Sequence, residues 1–186
     1  MVDNFKRALD QVLKWEGSRF TNDPDDRGGA TRYGVIQTRY DQFRDNADLP
    51  RQSVRAITMP EVEHIYRRYY WDAVKADDLP APLDTVVFDA GVNHGTGRAA
   101  EWLQKLVGVD ADGLIGAKTL AAVKAATSDA GMGAEKALAT RYCDRREAFY
   151  EAIAQGRQRK FLKGWMNRLQ DLRKLFGLRD TDGVNN

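Results

Sequence analysis

Residues 83–92 (Leu83, Asp84, Thr85, Val86, Val87, Phe88, Asp89, Ala90, Gly91, Val92) form an apolar run, preceded by Pro80 and Pro82 and closed by Asn93-His94-Gly95. Proline blocks continuation of a helix from upstream and glycine favours its end, so the run is bracketed as a single element. It falls well short of the roughly 20 apolar residues of a membrane span. A stretch this apolar must be covered by other parts of the chain, and we read it as a buried helix.

Helical periodicity recurs on both sides of this run. Phe5, Ala8, Leu9, Val12 and Leu13 define an amphipathic first helix that should stop at Trp15-Glu16-Gly17-Ser18, where Gly17 is a natural breaker. Thr58-Met59-Pro60-Glu61 has the form of a capping box ahead of Val62, Ile65, Tyr66 and Tyr69. Trp102, Leu103 and Leu106 share one helix face, and Asp110 to Gly116 makes a tight turn before a short helix over Thr119 to Ala126. In the last third, Leu138, Tyr142, Phe149 and Ile153 form one apolar stripe; Phe161, Trp165, Leu169, Leu172 and Phe176 form a second. The tail from Asp180 should fray. One stretch departs from this pattern. Asn22 to Gly29 is dense in turn formers, and Ala30 to Ile36 suits a short β-ribbon kinked by glycine.

A length of 186 residues gives a prior of one domain, or one domain with a small appendage. The 42% hydrophobic and 30% charged content, with net charge +2, belongs to a soluble globular chain and excludes a disordered or collagenous one. A single cysteine rules out an intrachain disulfide and points to a reducing compartment during folding. Two histidines leave little room for a histidine-rich metal site, and the polar N-terminus does not look like a secretory signal. The charge is unevenly spread: Lys136 to Arg179 holds 12 basic and 4 acidic residues, a local +8 against −6 elsewhere. The plain reading of that excess is a solvated helix face; the functional one is attraction to an anionic wall polymer or to lipid headgroups. No nucleic-acid recognition motif accompanies it.

Chemistry concentrates around Glu16, Asp25 and Thr31. Glu16 lies at a helix C-terminus, where the dipole disfavours negative charge, and beside the apolar side chains of Trp15 and Phe20. Asp25, in a loop rich in glycine and polar groups, should stay ionised. Two carboxyls in unlike surroundings suit the acid and base roles of glycosidic-bond hydrolysis, and the Thr31 hydroxyl can hold a water. Spacing alone does not prove this, since most Glu/Asp pairs in a chain with 27 acids are solvated surface charges.

The spacing Glu-x8-Asp-x5-Thr is that of phage-type lysozymes, and Trp15 to Val35 resembles glycoside hydrolase family 108, the N-acetylmuramidases of phage endolysins and related secretion-linked muramidases. The family's Glu-Gly-Gly-Tyr is met by Glu16-Gly17-Ser18 and Phe20, with Arg19 intervening: the acid is kept, the second glycine is lost and the aromatic is displaced. Asn22 to Gly34 matches the family's Asn-Asp-Pro…Gly-Gly-Ala-Thr-x-Tyr-Gly closely. Asp89 to Gly95 is similar to its cleft-lining helix end. Asp112 to Leu120, Arg145 to Tyr150 and Phe161 to Arg168 are similar to its C-terminal peptidoglycan-binding segment. The likeness spans about residues 5 to 175.

The resemblance implies a mainly α, lysozyme-like fold with a small β-ribbon or loop lobe near residues 20–40. Residues 1–107 would be catalytic, 108–176 a helical peptidoglycan-binding-like region packed on them, and 180–186 a frayed tail. It further implies a peptidoglycan hydrolase that cleaves the β-1,4 bond between N-acetylmuramic acid and N-acetylglucosamine without metal or cofactor. Glu16 would be the general acid, and Asp25 and Thr31 would position or activate water on the opposite face, giving inversion. Tyr33, Trp71, Asp89 and Asn93 are the candidates for sugar contacts, with core packing the alternative for the aromatics. The partner would be a glycan strand met by a monomer, with no nucleic acid and no stable membrane insertion. The enzyme would wait in the host cytoplasm until a holin opens the inner membrane.

Two rivals share these residues: a lytic transglycosylase, which uses one acid and no water, and a non-catalytic wall-binding or structural protein. Weaker signals are set aside. Asp110-Ala111-Asp112-Gly113 begins like a calcium loop, but its twelfth position is Ala121, where that motif needs a bidentate Glu. Cys143 with His94 as a thiol pair, or with His64 and His94 as a zinc site, is poorer than a buried structural cysteine.

Overall fold

The computed structural model describes residues 4–22, 29–128 and 133–178. These divide into two compact units, Met1–Tyr69 and Tyr70–Asn186. Among the described residues, no helix is long and apolar enough to cross a membrane.

In the first unit, α1 (Asn4–Glu16) buries Phe5, Ala8, Leu9 and Val12, the stripe legible in the sequence. It ends where expected: Gly17 adopts φ +73° and its N–H closes the last turn on the Leu13 carbonyl at 3.0 Å. β1 (Thr31–Arg32) and β2 (Val35–Ile36) then form an antiparallel hairpin, Thr31 opposite Ile36 and Arg32 opposite Val35. Thr21 extends the ribbon by an isolated bridge to Thr31.

α2 (Gln37–Asn46) has no stripe, burying only Tyr40 and Phe43, and nothing in the sequence periodicity announces it. Polar contacts hold it instead. Gln37 donates to the Gln52 carbonyl at 2.9 Å and accepts from the Val54 N–H at 2.7 Å. Arg44 and Tyr40 meet the Glu61 carboxylate at 2.8 and 3.0 Å. Glu61 also accepts from the Thr58 N–H at 2.8 Å, the capping contact expected at the start of α3 (Met59–Tyr66).

The second unit is built around the apolar run 83–92. α4 (Leu83–His94) is buried at every position from Leu83 to Gly91 and packs on α5 (Thr96–Val107) and α7 (Ala134–Ile153). α6 (Ala117–Ser128) and α8 (Leu162–Phe176) pack on α7 in turn. The Asp110–Gly116 turn is pinned by the buried Gln104, whose amide nitrogen donates to Asp112 at 2.7 Å and to the Leu114 carbonyl at 3.0 Å.

The two C-terminal stripes need correction. On α7 the buried line is Leu138, Tyr142, Arg146 and Tyr150, whereas Ile153 is 36% exposed; on α8 Leu169 and Leu172 are buried with Arg168 and Arg173, whereas Phe161 lies outside at 46% exposure. Hydrophobic periodicity misses this because three arginines occupy interior positions. They are admissible there because each faces acids: Arg146 and Arg168 meet Asp89, and Arg173 meets Asp144 and Glu147 at 2.8 and 2.7 Å. Part of the basic excess is therefore interior rather than a solvated face.

Candidate functional site

Glu16 is the last residue of α1, half-buried, with its side chain against the hairpin. The hairpin turn is Tyr33-Gly34, and both residues have positive φ, +52° and +72°. That is the signature of the tight two-residue turn whose twist matches the strands it joins. Glycine suits the second position on conformational grounds, but here space decides as well. A Cβ on Gly34 would lie 2.5 Å from Tyr66 Oη, 2.9 Å from Glu16 Oε2 and 3.0 Å from Glu16 Cγ. The carboxyl thus rests directly on the glycine backbone. Tyr33, an L-residue in the left-handed region, is held there by its carbonyl, which accepts from Tyr66 Oη at 2.9 Å.

Thr31 sits on β1 of the same hairpin. Its backbone is fixed on both sides by Thr21 and Ile36, and its hydroxyl donates to the Gly29 carbonyl at 3.1 Å, leaving the oxygen free to accept. Arg32 reaches the Arg55 carbonyl, and the Arg55 guanidinium stacks over Phe20 at 4.2 Å, tying the segment after α1 to the hairpin. The Tyr33 ring is half-buried beneath the Arg32 guanidinium, 5.1 Å from its centroid. Asp25 lies outside the described residues. Gly34 and Tyr66, which confine Glu16, are not among the residues the sequence singled out. The available signal was Tyr33-Gly34 as a two-residue loop in a β-ribbon.

The remaining candidates belong to the second unit. Asn93 is exposed, and its amide nitrogen donates back to the Asp89 carbonyl at 3.0 Å. Trp71 is 1% exposed, edge-on to Phe88 with its Nε1 donating to Asp77 at 2.8 Å; core packing, the alternative, is what it does. Asp89 is corrected from a sugar contact to a buried ionic centre. Its carboxylate is 1% exposed and meets Arg146 at 2.6 Å and Arg168 at 2.8 Å, so a sugar has no access to it. Burial alone would raise the Asp89 carboxyl, but the two guanidiniums outweigh it and hold the group below the usual carboxylate range.

Next to this centre a polar string continues outward. Arg146 Nε donates to Tyr150 Oη at 3.1 Å, and Tyr150 Oη lies 3.1 Å from His94 Nε2. Burial, with Arg146 next, pushes the His94 pKa down to about 3. Cys143 is fully buried, and burial pushes its thiol up to about 12, the opposite of an activated nucleophile. Among the described residues, no group of three or more His, Cys, Asp or Glu is arranged to hold a metal.

Residues 9–95 match the family model Glycosyl hydrolase 108, and residues 98–170 match the Predicted Peptidoglycan domain. Among solved structures, the chain is similar to Brucella abortus SagA at 34% identity and TM-score 0.73, over 96% of this chain and 98% of that one. No curated protein sequence matches it. The two matched segments interlock within the second unit: Asp89 comes from the first, and both of its arginines from the second.

Proposed function

This chain belongs to the Glycosyl hydrolase 108 family, and on that premise we propose that it cuts the β-1,4 bond between N-acetylmuramic acid and N-acetylglucosamine, with Glu16 as the general acid. It is a glycoside hydrolase of mainly α, lysozyme-like fold whose polymer is peptidoglycan. The observation that carries the finer reading is the seating of the Glu16 carboxyl on Gly34, in the hairpin that also bears Thr31. A proton donor must be held within a fraction of an ångström of its target, and a side chain wedged against fixed backbone is held in that way.

In the proposed reaction Glu16 gives its proton to the bridging oxygen as the bond to the anomeric carbon lengthens. Water held by Thr31 and activated by Asp25 attacks from the opposite face, and the configuration inverts. For such a reaction the two carboxyl groups stand roughly 6.5–9.5 Å apart, against about 5–5.5 Å for a covalent intermediate. Tyr33, in the turn of the Glu16 hairpin, is retained as a sugar contact in this proposal; Asn93 is a separate candidate on the second unit. A phage lytic role, with passage to the wall through a holin-made opening, belongs to the same proposal.

The products decide the matter. Mass analysis of digested peptidoglycan should find reducing N-acetylmuramic acid ends that carry an added water. Ends of the 1,6-anhydro type, lacking that water, would assign a lytic transglycosylase. Binding to the wall without any release would leave a non-catalytic wall-binding protein.

A further inference from the structure

We propose that residues 155–165 form a peptidoglycan-docking face, in which the Phe161 ring stacks on a sugar and Arg157, Arg159, Lys160 and Lys163 meet stem-peptide carboxylates. This rests on peptidoglycan being the substrate, and assigns where outside the Glu16 hairpin the chain grips it. The face comprises the 3-10 helix Gly156–Phe161 and the first turn of α8.

Two independent features coincide there. The first is an aromatic ladder running from core to solvent. Tyr150, 1% exposed, stacks on Trp165 at 5.4 Å and 19°, and Trp165 stacks on Phe161 at 6.0 Å and 29°; Phe161 itself is 46% exposed. A ring braced from beneath loses little freedom when a ligand covers it, which favours stacking. The second is unbalanced charge. No acidic residue occurs between Glu151 and Asp171. Arg157, Arg159, Lys160 and Lys163 are all exposed and form no ion pair among the described residues. In this they differ from Arg146, Arg168 and Arg173, whose charges are spent inside the fold. The Lys160 ammonium lies 4.9 Å from the Phe161 centroid, so cation and ring serve one spot.

Peptidoglycan offers both complements at once: pyranose rings with apolar C–H faces, and peptides ending in carboxylates. A membrane fits less well. The large exposed apolar side chains in this region are Phe161 and Ile153, the latter at the end of α7, too little to sink into an acyl layer. The face also lies in the segment matched by the Predicted Peptidoglycan domain.

The test is co-sedimentation of the full chain with purified sacculi, comparing wild type, Phe161→Ala, Phe161→Trp and the triple variant Arg157→Gln/Arg159→Gln/Lys160→Gln, each checked for folding by circular dichroism. Phe161→Ala should weaken binding by about 3- to 10-fold, and Phe161→Trp should restore it. The triple variant should bind weakly and lose the decline that wild type shows between about 0.05 and about 0.5 M salt. Variants that sediment like wild type overturn the proposal while leaving the hydrolase reading intact. Wild type that neither binds nor cuts sacculi overturns both. Loss of binding to phosphatidylglycerol vesicles or to single-stranded oligonucleotide, with sacculus binding unchanged, reassigns the face and also overturns it.

Discussion

Replacing Gly34 by alanine should slow turnover by roughly 10²-fold while leaving the protein folded. The backbone contributes one cost: an L-residue at φ +72° loses about 1–2 kcal/mol. The new methyl contributes another. Ordinary contact begins near 3.4 Å, so Tyr66 Oη at 2.5 Å and Glu16 Oε2 at 2.9 Å must both give way. Tyr66 is 1% exposed with its hydroxyl bonded to the Tyr33 carbonyl, whereas Glu16 is only half-buried. Withdrawal of the carboxyl relieves only its own contact, so the Tyr66 hydroxyl or the turn itself must also shift, and a displacement approaching 1 Å at the site costs roughly 10²-fold in rate. We expect a total destabilisation of about 2–4 kcal/mol in urea unfolding and a kcat for reducing-end release lower by roughly 10²-fold. Gly108→Ala separates the two effects, because Gly108 has φ +75° and nothing within 4 Å of a Cβ. It should lose about 1–2 kcal/mol with kcat unchanged. If Gly34→Ala turns over within about threefold of wild type, or Gly108→Ala loses as much activity, the seating argument is wrong.

Asp89→Asn removes the negative charge from between two buried guanidiniums and should destabilise by about 3–5 kcal/mol in urea unfolding; a loss below about 1 kcal/mol would mean the centre is not structural. His94 governs a pH response. Its folded pKa of about 3 lies below the ordinary 6.5, so between these values the unfolded chain takes up a proton the native state refuses. Stability should fall as pH drops through that window, and His94→Gln should flatten the slope. Cys143 should resist an aromatic disulfide reagent in the native state and react only as fast as the chain opens; rapid labelling without unfolding would contradict its burial.

Much of the architecture was legible because local signals agreed with one another. α1 shows its stripe and its terminating Gly17, α3 its capping box, and α4 its uninterrupted apolar run. α2 was not legible, because Gln37, Arg44 and Tyr40 hold it through partners 15 to 21 residues away, which no periodicity encodes. The same holds for the C-terminal arginines. Charge counting places Arg146 in solvent, and only its meeting with Asp89, from a helix far back in the chain, makes an interior position tolerable. At the candidate site, spacing and family likeness nominate Glu16 and Thr31, and the structure brings both to one hairpin. The part played by Gly34 could not be read in the sequence, because it depends on where Tyr66 arrives from α3.

The identity of the proton donor is tested most directly by Glu16→Gln, an isosteric change that keeps the seating on Gly34 but removes the transferable proton. Release of reducing ends from purified peptidoglycan should fall by roughly 10²–10⁴-fold, with sedimentation on sacculi and the unfolding midpoint unchanged. A glutamine variant that digests peptidoglycan as fast as wild type would contradict the account.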